Sequence, residues 1–78
     1  MSKSPLKNIP LKTFRDYLKY MGLEHVRTKG SHEIWKRNDL SRSIVLPTSK
    51  NPVKEGIVRS ILMELKVNAD SYIEFLKL

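Results

Sequence analysis

The strongest constraint on the fold is a double change in apolar spacing along 78 residues. Leu11, Phe14, Leu18 and Met21 recur at helical intervals, so one face of a first helix is apolar. Pro10 suits the first helical position, and Gly22 follows the last periodic residue as a helix-ending glycine should. From Leu23 to Pro47 the helical period is absent. Leu23 to Lys29 reads as one strand, Ser31 to Arg37 as a second, and Arg42 to Leu46 as a third ended by Pro47. Lys29-Gly30 supplies one tight turn, and Asn38-Asp39-Leu40-Ser41 the other. Helical spacing then returns. Val53, Ile57, Ile61 and Leu65 form a stripe, widened by Val58 and Leu62, over a helix running to about Lys66. Asn51 reads as its N-cap, with Pro52 at the first position. Asn68 caps a third helix, about Ala69 to Leu76, with Tyr72, Ile73 and Leu76 inward.

The predicted order is α-β-β-β-α plus a terminal helix. Such a chain closes as an α+β fold, a three-stranded antiparallel sheet with helices on one face. Residues 1–9 read as an N-terminal arm and residues 10–78 as one domain. A chain of this length buries only about two-thirds of its unfolded surface, so its core is small. Alternation in the first strand is not clean. Leu23, His25, Arg27 and Lys29 share one parity and Val26 the other, so the pattern assigns no faces there.

Cysteine is absent, which excludes disulfides, thiolate metal sites and a cysteine nucleophile. No apolar run approaches the roughly 20 residues that span a bilayer, and the N-terminus lacks the apolar segment of a signal peptide. A cytoplasmic protein without a membrane partner is the expectation. No Asp, Glu and His cluster has metal-ligand spacing, and no acid–His–Ser arrangement suggests a serine triad. The expectation is therefore no metal and no cofactor.

The formal net charge of +7 is uneven. Residues 1–59 hold 13 Lys and Arg against 5 Asp and Glu, whereas residues 60–78 hold 2 against 3. Nucleic acid is the first partner such a surface suggests, through phosphate neutralisation and counterion release. An acidic protein is the second.

Gly30-Ser31-His32 places one histidine at the mouth of the second strand, among Arg27, Lys29, Lys36 and Arg37. Histidine is the side chain best suited to exchange a proton near neutrality. RNA cleaves when its 2′-hydroxyl attacks the adjacent phosphate. An enzyme must remove that proton, protonate the leaving oxygen and stabilise the charged phosphorane. Histidine serves either proton transfer, and fixed cations serve the stabilisation. A Lys29-Gly30 turn would set Arg27 opposite His32.

The ordered set of landmarks resembles the HicA toxins of bacterial and archaeal toxin–antitoxin pairs. Gly22-Leu23 closes the first helix. Val26-Arg27-Thr28-Lys29-Gly30-Ser31-His32 follows, with Gly-Ser-His the most recognisable element. Ile34-Trp35, Val45-Leu46-Pro47, Lys54-Glu55-Gly56 and Arg59-Ser60-Ile61-Leu62 complete the set. The resemblance spans about residues 10–75. It implies a fold like a double-stranded-RNA-binding domain, and a metal-independent ribonuclease that cleaves mRNA and arrests growth. It also implies neutralisation by a HicB-type antitoxin. The family's catalytic histidine falls on His32. Many members carry a second histidine two residues after the proline that ends the third strand, where this chain has Ser49.

Arg27, Lys29 and Lys36 are candidate phosphate contacts. Lys50 and Lys54 flank the start of the second long helix, a region that faces phosphates in the related RNA-binding fold. His25 reads as a surface strand residue and Trp35 as core. Two other functions fit the same residues: a non-catalytic RNA-binding module, and an interaction protein whose basic face docks an acidic partner.

Overall fold

The computed structural model describes residues 5–78. Helix α1 spans Leu11–Tyr20, strands β1, β2 and β3 span Glu24–Lys29, His32–Lys36 and Ile44–Pro47, and helices α2 and α3 span Glu55–Glu64 and Ala69–Leu76. The strands form one antiparallel sheet in the order β1-β2-β3. This is the expected α+β fold, with the order of a double-stranded-RNA-binding domain and an added C-terminal helix.

Alternation along β2 and β3 explains the layering. Glu33, Trp35, Ile44 and Leu46 are buried, while His32, Lys36 and Val45 are exposed. Side chains alternate between faces with a period of two. One face therefore packs on the helices and the other is open. Phe14, Tyr17 and Leu18 from α1, and Val58, Ile61 and Leu62 from α2, complete the core against Trp35. Trp35 is core, as expected.

Helix α3 closes against α1. The Tyr17 ring meets Tyr72 edge-on at 5.2 Å and Phe75 at 5.5 Å. The Tyr17 hydroxyl also lies 2.7 Å from Ser71 Oγ, which satisfies its polar tip. Phe75 takes the inward place expected of Leu76, which is exposed.

The N-terminal segment departs from the expected arm. Residues 1–4 lie outside the described residues, but Leu6 and Ile9 are buried in the core. Ile9 bridges Val53, whose N–H donates to the Ile9 carbonyl at 2.9 Å. That bridge also corrects the start of α2. Residue 53 is tied into an extended pair, so the helix begins at Glu55, after Asn51-Pro52. Asn51 caps a different helix: its Oδ1 accepts from Leu11 N at 3.0 Å, the first N–H of α1. A side-chain oxygen there satisfies one of the donors a helix start leaves free.

Candidate active site

The hairpin between β1 and β2 determines what surrounds His32. Lys29 pairs with His32, so the turn residues are Gly30 and Ser31, rather than Lys29 and Gly30. The reason is backbone geometry. Tight hairpin turns need a positive φ at their first central residue, and Gly30 adopts φ +60°. Lysine at that place would be strained. The consequence is a corrected neighbour: Lys29, not Arg27, stands opposite His32, and Arg27 pairs with Ile34.

On its other side His32 pairs with Pro47 of β3. Directly opposed side chains on one face are about 5 Å apart, and diagonal ones about 7–8 Å. The exposed His32 therefore sits on the open face between Lys29 and Pro47, with Arg27 diagonal to it. Lys36 shares that face but lies four residues along β2, roughly 13 Å away at strand rise. It also pairs across the ladder with Glu24. Of the predicted cations on the sheet it is the one set apart from His32.

The chain leaving β3 is pinned to the same turn. Thr48 N and Thr48 Oγ1 both donate to the Ser31 carbonyl, at 2.7 and 3.0 Å. That pair of hydrogen bonds carries Ser49 and Lys50 past the His32 end of the sheet. A cleft of about 180 Å³ opens there, lined by Pro47, Ser49, Lys50, Val53, Lys54 and Ile57. Nothing in the spacing of these residues announced the cleft. Its one sequence signal was the pair of lysines at its rim.

Charge is distributed unequally around this end. The ion pairs seen are Lys12–Asp16, Arg15–Glu33, Arg37–Asp39 and Arg59–Glu55. Arg27, Lys29, Lys50 and Lys54 take part in none of them. Arg37, by contrast, is structural. It binds Asp39 and donates to the Met21 carbonyl at 2.7 Å, joining the end of α1 to the end of β2.

Glu33, adjacent to His32 in sequence, points the other way. It is 8% exposed and receives Arg15 Nε at 2.9 Å, Arg15 Nη2 at 2.6 Å and Trp35 Nε1 at 3.1 Å. Burial raises its pKa, but hydrogen bonds from Arg15 and Trp35 and the Arg15 charge outweigh that, so the carboxyl is held below its ordinary value. Sequence reading did not find this network.

His25 also lies on the helix side. It pairs with Trp35, its ring centroid lies 5.4 Å from the indole, and Nε2 is 2.9 Å from Thr28 Oγ1. A β-bulge between His25 and Arg27 shifts the register by one residue at Val26. The bulge is why parity failed in this strand: residues 25 and 27 face opposite ways. The two histidines thus lie on opposite faces. No group of three potential metal ligands occurs among the described residues, and no helix among them is long and apolar enough to cross a membrane.

No curated protein and no solved structure matches the chain. The family model for the HicA toxin of bacterial toxin-antitoxin systems matches residues 6–67. That span covers α1, the whole sheet, the cleft and α2, and it includes Leu6 and Ile9, which the structure packs into the core. The chain belongs to the HicA toxin family, known for toxic mRNA cleavage, and is the toxin member of a toxin–antitoxin system.

Proposed function

We propose that the protein is a metal-independent endoribonuclease that cleaves mRNA with His32 as its general acid or base. One observation carries the reading. The open face presents an exposed imidazole flanked by Lys29, with Arg27 diagonal to it, and neither cation is ion-paired among the described residues. Free cations are available for phosphate, and they favour the more highly charged phosphorane over the singly charged phosphodiester from which it forms. Lys50 and Lys54 line the cleft to which Pro47, the cross-strand neighbour of His32, also belongs. Lys36 contributes at most a distant contact, because it lies far from His32 and opposite Glu24.

In this mechanism the RNA strand lies across the open face with the scissile phosphate between His32 and Lys29. The 2′-oxygen bonds to phosphorus as the bond from phosphorus to the 5′-oxygen breaks. The imidazole either removes the 2′-proton or protonates the departing 5′-oxygen, water exchanges the other proton, and Lys29 and Arg27 stabilise the charge that develops. A HicB-type antitoxin neutralises the toxin by covering this face, and the excess of positive charge speeds its association.

Incubating RNA with purified protein in excess EDTA tests the reading. Cleavage persists without metal if His32 and its neighbouring cations suffice. Activity lost in EDTA and restored only by added metal would overturn it. RNA binding without cleavage, weakened by salt, would instead identify a non-catalytic binding module.

A further inference from the structure

The cleft next to His32 has walls of one character and a rim of another. Pro47, Val53 and Ile57 form apolar walls, and Ser49, Lys50 and Lys54 stand at the opening. Ile57 belongs to the apolar stripe of α2, yet it is only partly buried, because its exposed side faces this space. The segment from 48 to 53 is tied at three points. Thr48 bonds to Ser31, Asn51 to Leu11 and Val53 to Ile9. The cleft is therefore held open by backbone and side-chain bonds rather than by the mobility of a loop, as preformed ligand sites are.

Its volume limits the occupant. About 180 Å³ is less than the roughly 300–1,000 Å³ of ordinary small-molecule sites. The enclosed space is the size of one planar ring system. Apolar walls suit the faces of such a ring, and two lysines at the rim, in no ion pair among the described residues, suit an anion attached to it. Pro47 is both a wall of the cleft and the cross-strand neighbour of His32. A second cleft of about 300 Å³, between Leu6, Leu62 and Met63, offers more apolar surface. Its one cation, Arg59, is held by Glu55 at 2.7 Å.

We propose that the cleft beside Pro47 is a nucleobase subsite, in which one base of the RNA strand enters between Pro47, Val53 and Ile57 while Lys50 and Lys54 hold the phosphate of that nucleotide. The proposal rests on the ribonuclease reading for its purpose but not for its measurement. Ser49 supplies the one side-chain hydroxyl at the opening. A hydroxyl both donates and accepts, so it does not discriminate between base edges by hydrogen-bond pattern.

The test is an amide NMR titration of the wild-type protein with each of the four nucleoside 5′-monophosphates and, separately, with inorganic phosphate. Monophosphates contain no internucleotide bond, so cleavage does not complicate the measurement. Nucleotides should shift the amides of Ser49, Lys50, Lys54 and Ile57 saturably. A base burying roughly 50 Å² of apolar surface should bind about tenfold more tightly than phosphate alone. Ser49→Trp, which fills the opening, should remove that advantage and leave the phosphate shifts in place. Ile57→Ala, which widens the cleft without touching the lysines, serves as the second variant if the tryptophan disturbs folding, and should also weaken nucleotide binding alone. Equal affinity for phosphate and nucleotides would overturn the proposal, as would shifts confined to other residues. Failure of the wild-type protein to cleave RNA would strike the catalytic reading and leave this result standing. Cleavage without nucleotide shifts at the cleft would do the reverse.

Discussion

On the helix side of the sheet, Glu33 is bound by Arg15 and Trp35. On the open side, His32 stands beside Lys29, and neither is paired with a carboxylate among the described residues. Both arrangements come from one five-residue strand, since alternate residues of β2 serve opposite faces. The difference follows from burial. A charge shielded from water needs a partner, and Glu33 at 8% exposure has three donor groups from two residues. A charge on the open face is already solvated, so it can remain unpaired and available to a phosphate. The helix side uses charge to hold α1 on the sheet. The open side leaves Lys29 and Arg27 in no ion pair among the described residues.

The sharpest way to break this comparison is to exchange the two histidines for alanine in turn. His32→Ala should lower RNA cleavage by about 10²–10⁴-fold, the span typical of a lost general acid or base. RNA affinity should fall far less, because many phosphate contacts share it. His25→Ala should cleave at nearly the wild-type rate, since its ring lies against Trp35 on the other face. Wild-type cleavage by both variants would remove His32 from the mechanism. A His32→Ala protein that loses its fold rather than its rate would make the residue structural.

The second effect is on stability and belongs to the helix side. Arg15→Met leaves the Glu33 carboxylate buried with only the indole donor. Such a loss costs about 1–3 kcal/mol, which lowers Tm by about 4–8 °C per kcal/mol in a domain of this size. Chemical denaturation reads it directly. The pH dependence has a fixed sign. Arg15 and Trp35 hold the Glu33 pKa below its ordinary value despite burial. The stabilisation is therefore complete above the usual carboxylate pKa of about 4.3. It is lost as pH falls through the lower, folded value, because the unfolded chain takes up the proton first. Comparing Glu33→Gln with wild type isolates this group from the other carboxylates. The variant should lack that share of the acid loss and show no altered slope between about pH 6 and 8, where the carboxylate is charged in both states.

These two faces were not equally legible in the sequence. Element order was readable because apolar spacing changes twice, and His32 was readable because Gly30-Ser31-His32 sets it at the mouth of a strand among cations. The partner of His32 was not, since Lys29-Gly30 and Gly30-Ser31 are both two-residue turns around the same glycine. Only the demand for positive φ at the first central position separates them. The faces of β1 were hidden by the bulge at Val26, which no spacing rule in one strand reveals. Arg15–Glu33 and Asn51–Leu11 join residues 18 and 40 positions apart. Such contacts appear only once the helices are placed on the sheet. Leu6 and Ile9 were missed for a similar reason: two apolar residues beside Pro5 and Pro10 have no periodicity, and their burial depends on the Val53 bridge.

The smallest effect asks whether the open face acts through local contacts or through net charge alone. Lys29→Gln and Lys12→Gln each remove one positive charge. Lys29 is opposite His32, whereas Lys12 lies on α1, largely exposed and 3.4 Å from Asp16. If Lys29 touches a phosphate, its loss should weaken RNA binding a few-fold and reduce the salt slope, log K against log salt, by about 0.7 for single-stranded RNA. Lys12→Gln should leave the slope near wild type, because no counterion is released there on binding. Both variants should keep stability within about 0.5 kcal/mol, as exposed substitutions usually do. Fluorescence anisotropy of one labelled RNA across a salt series measures both slopes. Equal reductions would mean that RNA senses the overall charge of the protein, and the distinction between the faces would then apply to stability but not to binding. A reduction confined to Lys29→Gln would place a phosphate beside His32, where proton transfer requires it.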